Sequence, residues 1–148
     1  MLYNEFTVIF PTLNEANNIS ELIKNIIDHY NGISIIVSDD GSTDNIEEVV
    51  ASFGNPRIFF YNRARTMIHG LSVSIVDASR IVKSKYFIVM DADNQHPWSA
   101  IQYIVNSLKQ GSNLVIASRK KAKGYWPRPR KKYSWVSKRS NHLFYIIS

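Results

Sequence analysis

Up to Ala117 the apolar positions alternate between two spacings. Ile19, Leu22, Ile23, Ile26, Ile27 and Tyr30 recur every three or four residues, as on one helical face. They predict a helix over 18–30. Asn17 or Asn18 can cap its start, and Asn31-Gly32 stops it. The β-rich run Glu5–Phe10 precedes it and ends at Pro11. Ile33–Val37 follows as a second strand, leading into Ser38-Asp39-Asp40-Gly41. Thr43 or Asp44 can cap a helix reaching about Phe53, and Gly54-Asn55-Pro56 turns into a third strand over Arg57–Tyr61. Residues 66–82 predict a helix with Ile68, Leu71, Ile75, Val76 and Ile81 towards the core and Asp77 on the surface. Tyr86–Met90 is a fourth strand. Pro97 suits a first helical turn, and Trp98, Ile101, Ile104, Val105 and Leu108 give that helix its buried stripe up to Gly111. Asn113–Ala117 predicts a fifth strand.

Strands alternating with helices imply crossover units, and so an α/β fold with a mostly parallel sheet covered on both faces. Such sheets bind ligands beyond the carboxyl ends of their strands. The polar clusters sit at those ends: Pro11–Glu15, Asp39–Asp44, Asp91–His96 and Ser118-Arg119. Among them Asp91-Ala92-Asp93 is the most informative. Two carboxylates one residue apart, directly after a buried strand, can offer hard oxygens to Mg²⁺ or Mn²⁺ shared with substrate phosphates. A lone D-x-D equally suits a solvated turn with Asx-type bonds.

A length of 148 residues suits one domain, and 45% hydrophobic with 20% charged residues suits a globular one. The absence of cysteine excludes disulfides and thiolate metal sites and fits a reducing compartment. The start Met-Leu-Tyr-Asn-Glu carries no signal-peptide pattern. No apolar run reaches the length of a membrane span. The net charge of +6 is divided unevenly. Residues 1–93 hold all 12 acids and 7 Lys/Arg, a net −5, whereas residues 94–148 hold 11 Lys/Arg and no acid, a net +11. One half can hold a cation while the other attracts anions: a phosphorylated acceptor, an anionic membrane or nucleic acid. Arg119–Lys132 is basic and aromatic with little periodicity. From about Ser134 a basic amphipathic helix is expected, either lying in a membrane interface or packing on its own domain or on a missing segment.

Neither G-x-G-x-x-G nor G-x-x-x-x-G-K-[ST] is present, so the two usual backbone phosphate cradles are absent. A bound nucleotide would depend on side chains and a metal, with carboxylates pairing the N–H groups of uracil or guanine. Three motifs occur in order: Phe10-Pro11-Thr12-Leu13-Asn14-Glu15, Ser38-Asp39-Asp40-Gly41-Ser42-Thr43-Asp44 and Val89-Met90-Asp91-Ala92-Asp93-Asn94-Gln95-His96-Pro97. Over about residues 5–145 the chain resembles the family 2 inverting glycosyltransferases of GT-A fold. It looks most like the polyprenyl-phosphate branch that includes the dolichyl-phosphate mannose synthases. Ser118-Arg119 matches the Ser-Arg which that branch carries after its next strand.

The resemblance implies roles residue by residue. Pro11, Leu13 (usually Tyr in the family) and Glu15 match positions lining the base, and Asp39 and Asp40 match the pair that contacts base and ribose. Asp91 and Asp93 match the D-x-D that holds metal and sugar diphosphate. Gln95 matches a further metal ligand, and Mg²⁺ or Mn²⁺ is the implied cofactor. Asp93 and Arg119 are the implied catalytic residues. Arg119, Arg130 and Ser134 are the implied contacts to the acceptor phosphate, although a second register would pair Ser137-Lys138-Arg139-Ser140-Asn141 with the family's acceptor motif. His96 receives no catalytic role, because a phosphate acceptor is already ionised and needs no base.

The implied reaction is an in-line displacement, with inversion, that moves a mannose- or glucose-type sugar from a GDP- or UDP-sugar to a polyprenyl or dolichyl phosphate. Cytosolic donor and lipid-borne acceptor would meet on the cytoplasmic face of a membrane, where the protein is expected to sit peripherally. Residues 1–118 would form the nucleotide-sugar core, and 119–148 a basic acceptor loop with an amphipathic helix. Three departures stand out. The chain is shorter than the usual family domain, implying C-terminal truncation; the acceptor loop is reduced to Lys123-Gly124-Tyr125; and Asn62-Arg63-Ala64-Arg65 replaces a glycine-containing segment. A non-catalytic homologue that binds nucleotide or membrane as a partner subunit is the alternative. Assembly with itself or with a membrane subunit stays open, and a nucleic-acid module, resting only on the basic half, is disfavoured.

Overall fold

The computed structural model describes residues 3–93 and 97–117. Strands β1 (Phe6–Thr12), β2 (Ser34–Asp39), β3 (Ile58–Asn62) and β4 (Tyr86–Val89) alternate with helices α1 (Ala16–His29), α2 (Ile46–Ala51), α3 (Leu71–Arg80) and α4 (Ala100–Lys109). The strands form one parallel sheet in the order β3-β2-β1-β4. The chain steps outward from β1 to β3 and then returns to the other side of β1. The order therefore reverses between β1 and β4, and the crevice at that switch point is where open α/β sheets take their ligands.

Strand alternation sorts the core. Phe6, Val8 and Phe10 of β1, Ile35 and Val37 of β2, and Ile88 of β4 face the larger cluster. Ile19, Leu22, Ile23 and Ile26 of α1 meet them there, with Ile101, Ile104, Val105 and Leu108 of α4. The alternate positions Ile9, Ile36 and Val89 point to the opposite face, under Ala78 of α3 and half-buried Ile75. Each fully buried aliphatic side chain contributes about 1.5–3 kcal/mol, so the α1–α4 side carries most of the stability. Tyr30 closes that side by donating its hydroxyl to the Trp98 carbonyl at 3.2 Å, and burial raises its phenol above the ordinary value.

Several expected boundaries shift. The first helix begins at Ala16, with Glu15 as its N-cap residue, so neither Asn17 nor Asn18 caps it. The second begins at Ile46, and Asp44 meets its first turn by accepting the Ile46 N–H at 3.3 Å. The third begins only at Leu71. Its expected core side is corrected as well: Ile68, Leu71, Val76 and Ile81 are exposed, while Ser74 and Ala78 are buried. Small residues let α3 lie close to β2. There the Ser74 hydroxyl donates to Ser38 Oγ at 2.8 Å, and Ser38 donates to the Ser74 carbonyl at 3.0 Å. Asp77 shares this inward flank and is not a free surface residue, since it pairs with Arg63.

The stretch 113–117 forms no ladder among the described residues. Val115 and Ala117 pack on the core, while Leu114 and Ile116 are exposed. Period-two alternation reports which side of a chain is buried, but a strand also needs a backbone partner. The expected acceptor loop and amphipathic helix over 119–148 lie outside the described residues, as do Gln95 and His96.

Candidate active site

The parallel register aligns Thr12, Asp39 and Asn62 at the carboxyl edge of β1, β2 and β3. On the other flank of β1 the Met90 N–H still bonds the Ile9 carbonyl at 3.0 Å, so Asp91-Ala92-Asp93 leaves the sheet at the same rim. Ala92 is buried, and Asp91 and Asp93 are half-buried on either side of it. Pro11 is half-buried at the end of β1, Leu13 is exposed in the following loop, and Glu15 starts α1. Pro11, Leu13, Glu15, Asp39, Asp40, Asp91 and Asp93 therefore share one rim. Gln95, Arg119, Arg130 and Ser134 lie outside the described residues.

Side-chain bonds stitch the first two rim loops together. Asn14 adopts a left-handed φ of 59°, which its short amide tolerates better than most side chains. Its side-chain oxygen accepts the Thr43 N–H at 2.9 Å, and its own N–H donates to Ser42 Oγ at 2.7 Å. The Asp44 carboxylate accepts the Ala16 N–H at 2.9 Å as well as that of Ile46. One carboxylate thus answers unsatisfied donors at two helix starts. Glu15 accepts from the Asn18 side chain at 2.8 Å.

The adjacent aspartates have separate environments. Asp39 is 3% exposed. One of its oxygens accepts from the hydroxyls of Thr12 and Ser42, the other from the N–H groups of Gly41 and Ser42. A carboxylate offers about four acceptor positions, so the turn around Asp39 fills all of them and the side chain shapes the loop. That turn needs Gly41 at φ 96°, where a side chain would be strained. Asp40, with 11% of its side chain exposed, accepts from Arg63, from His69 Nδ1 at 3.1 Å and from the Gly70 N–H at 2.6 Å. About one acceptor position remains to it.

Arg63 and Asp77 were not among the expected site residues, yet they frame Asp40. The sequence signals were an arginine directly after a strand that neighbours an Asp-Asp strand end and its place in the Asn62–Arg65 stretch that departs from the family, and Arg65 carried nearly the same ones. A cleft of roughly 470 Å³ lies between Thr66-Met67-Ile68 and α3, lined there by Val73, Asp77 and Arg80. A cleft of roughly 430 Å³ lined by Thr7, Ser34, Arg57 and Lys83 lies at the amino ends of the strands, opposite the rim that carries the carboxylates. Rim position and ligand chemistry, not volume, mark the site.

The rim suits a hard divalent cation in donor type, since Asp91 and Asp93 both offer carboxylate oxygens. Among the described residues no group of three or more His, Cys, Asp or Glu is arranged for a metal. Further ligands would have to come from outside this set.

The family model of glycosyl transferase family 2 matches residues 7–147. A dolichol-phosphate mannosyltransferase of Pyrococcus furiosus is 35% identical over 115 residues, spanning 76% of this chain and 32% of its own length. An undecaprenyl-phosphate 4-deoxy-4-formamido-L-arabinose transferase of Edwardsiella ictaluri is 28% identical over 131 residues, spanning 84% of this chain and 40% of its own. The chain thus covers well under half of these relatives. Glucosyl-3-phosphoglycerate synthase of Mycobacterium tuberculosis was crystallised with Mn²⁺, UDP and glucosyl-3-phosphoglycerate. It aligns with a TM-score of 0.61 at 21% identity, over 76% of this chain and 42% of that one. At that identity the likeness is one of fold, and the fold is the Rossmann-like GT-A arrangement. With its parallel sheet, acidic rim and matching motifs, this chain belongs to glycosyl transferase family 2.

Proposed function

We propose that the chain provides the nucleotide-sugar site of a metal-dependent, inverting glycosyltransferase that moves a mannose- or glucose-type sugar from a GDP- or UDP-sugar to a polyprenyl phosphate. The observation that carries this reading is the exit of Asp91-Ala92-Asp93 beside the β1 loop, at the point where strand order reverses. Pro11, Leu13 and Glu15 would line the base, and Asp40 would offer its remaining acceptor position to base or ribose. Asp39 would hold the turn that sets Asp40 in place.

Asp91 and Asp93, with Gln95, would hold Mg²⁺ or Mn²⁺, which when bound neutralises charge on the diphosphate. An acceptor phosphate oxygen then forms a bond to the anomeric carbon, and the bond to the diphosphate oxygen breaks, its electron pair leaving with the nucleoside diphosphate. No proton transfer is needed at the nucleophile. Arg119, Arg130 and Ser134 would meet the acceptor phosphate. No helix among the described residues is long and apolar enough to cross a membrane. The reading puts the site peripherally on the cytoplasmic face because a soluble nucleotide donor and a lipid-borne phosphate would meet there. The basic residues of 119–148 would provide the attraction to anionic lipid.

Incubating the chain with radiolabelled GDP-mannose or UDP-glucose, Mn²⁺ and a polyprenyl phosphate tests this reading. Label moving into the lipid phase, and failing to do so with EDTA, is the expected result. Metal-dependent nucleotide binding with no transfer to any lipid phosphate would instead favour a binding-only homologue.

A further inference from the structure

The guanidinium of Arg63 has no part in the roles assigned above, yet it has no exposed surface at all. It sits one residue past β3. It donates through Nη1 to Asp40 at the end of β2, through Nε to Asp77 on α3 at 3.1 Å, and through Nη2 to the Ile68 carbonyl at 2.9 Å. Nη2 also lies 3.0 Å from Asp77. The backbone joins in, with the Arg63 N–H on the Asp39 carbonyl at 2.8 Å and the Thr66 N–H on the Arg63 carbonyl at 2.9 Å. One residue thus ties the end of β2, the flank of α3 and segment 63–70 into a single unit.

Direct contact with a phosphate is excluded for this side chain, because it is buried and most of its five donors already meet protein acceptors. Its effect must pass through Asp40. Without the guanidinium, two half-buried carboxylates would face each other, with the His69 ring and the Arg80 guanidinium as the remaining nearby partners, both substantially exposed. A carboxylate in that position would turn towards water. That turn releases the Gly70 N–H that Asp40 now holds.

We propose that Arg63 is a positioning residue of the nucleotide site: it compensates Asp40 and Asp77 together, aims the Asp40 carboxylate, and fixes segment 64–70 as one wall of the base and ribose pocket. The proposal rests on the nucleotide reading of the rim and adds to it a residue that never touches the ligand. Asp77 is the second half of the device, since it holds the far side of the same guanidinium.

Calorimetric titration of the full chain with UDP and with GDP, in the presence of Mn²⁺, tests this in Arg63→Lys, Arg63→Gln and Asp77→Asn. Hydrogen exchange at the Gly70 amide and far-UV circular dichroism are measured in parallel. At a temperature where the dichroism matches the parent chain, Arg63→Gln and Asp77→Asn are expected to weaken binding by about fivefold or more, the scale of one lost charge-assisted bond. Arg63→Lys should recover part of the loss, and Gly70 exchange should quicken in step with affinity. If Arg63→Gln does not fold, Asp77→Asn decides, because it leaves Arg63 its Asp40 partner. A folded Asp77→Asn with parental affinity and unchanged Gly70 protection overturns the proposal. Failure of the parent chain to bind either nucleotide overturns the reading beneath it, whereas a parent that binds beside indifferent variants overturns only the role of Arg63.

Discussion

At the scale of single residues, the rim separates carboxylates that build from carboxylates that are left to bind. Asp39 is saturated by its own turn, Asp44 is engaged by two helix starts, and Asp40 keeps about one acceptor position after three donors. Asp44→Ala should therefore act on stability, costing about 1–2 kcal/mol as other lost caps do, visible as a lower urea midpoint with unchanged slope. Arg63→Met removes the cation between two carboxylates, and breaking such a buried pair costs about 3–5 kcal/mol; the same urea titration checks it. These roles were only partly legible in the sequence. The acids at the strand ends could be read directly, because position at a carboxyl edge follows from the order of elements. Which oxygen meets which N–H depends on register, on Asn14 adopting a left-handed φ and on the exact depth of Arg63, none of which a linear pattern encodes. Asp77 looked like a surface residue because its partner lies 14 positions away and on another element.

At the scale of elements, α1 and α3 use opposite logic. The α1 stripe of Ile19, Leu22, Ile23 and Ile26 is wholly buried, so its period was readable from the sequence. Ile23→Ala should cost about 2–5 kcal/mol, measured by thermal or urea unfolding. Helix α3 instead approaches the sheet through Ser74 and Ala78 and leaves its larger apolar residues outside. Hydropathy counts large side chains, so it pointed to the wrong flank. Ser74→Leu should overfill this contact and cost about 1–3 kcal/mol, while an equally large side chain at exposed Val76 should leave stability nearly unchanged. The strands were legible up to β4 because each apolar run ends in a polar cluster. The run 113–117 has the same alternation without a ladder, a difference made by a backbone partner and not by composition.

At the scale of the whole molecule, charge and topology divide the work. The sheet places acids on one rim, and the residues after Asp93 carry no acid. If the basic residues serve a lipid-borne phosphate, the chain should sediment with vesicles containing anionic lipid. That attachment should weaken sharply as salt shortens the Debye length, at roughly 1 kcal/mol per Lys or Arg near the surface. Neutral vesicles should retain much less. The central claim is that Asp91 and Asp93 turn the switch point of the sheet into a cation-dependent nucleotide site. Calorimetric titration with GDP and UDP, with and without Mn²⁺, on the parent chain and on Asp93→Ala tests it most directly. The parent should bind one of the two nucleotides in the presence of Mn²⁺, and Asp93→Ala should lose that metal-dependent affinity by at least about tenfold, roughly 1.4 kcal/mol. Equal binding by the parent and Asp93→Ala, or no binding of either nucleotide at millimolar concentration, would contradict it.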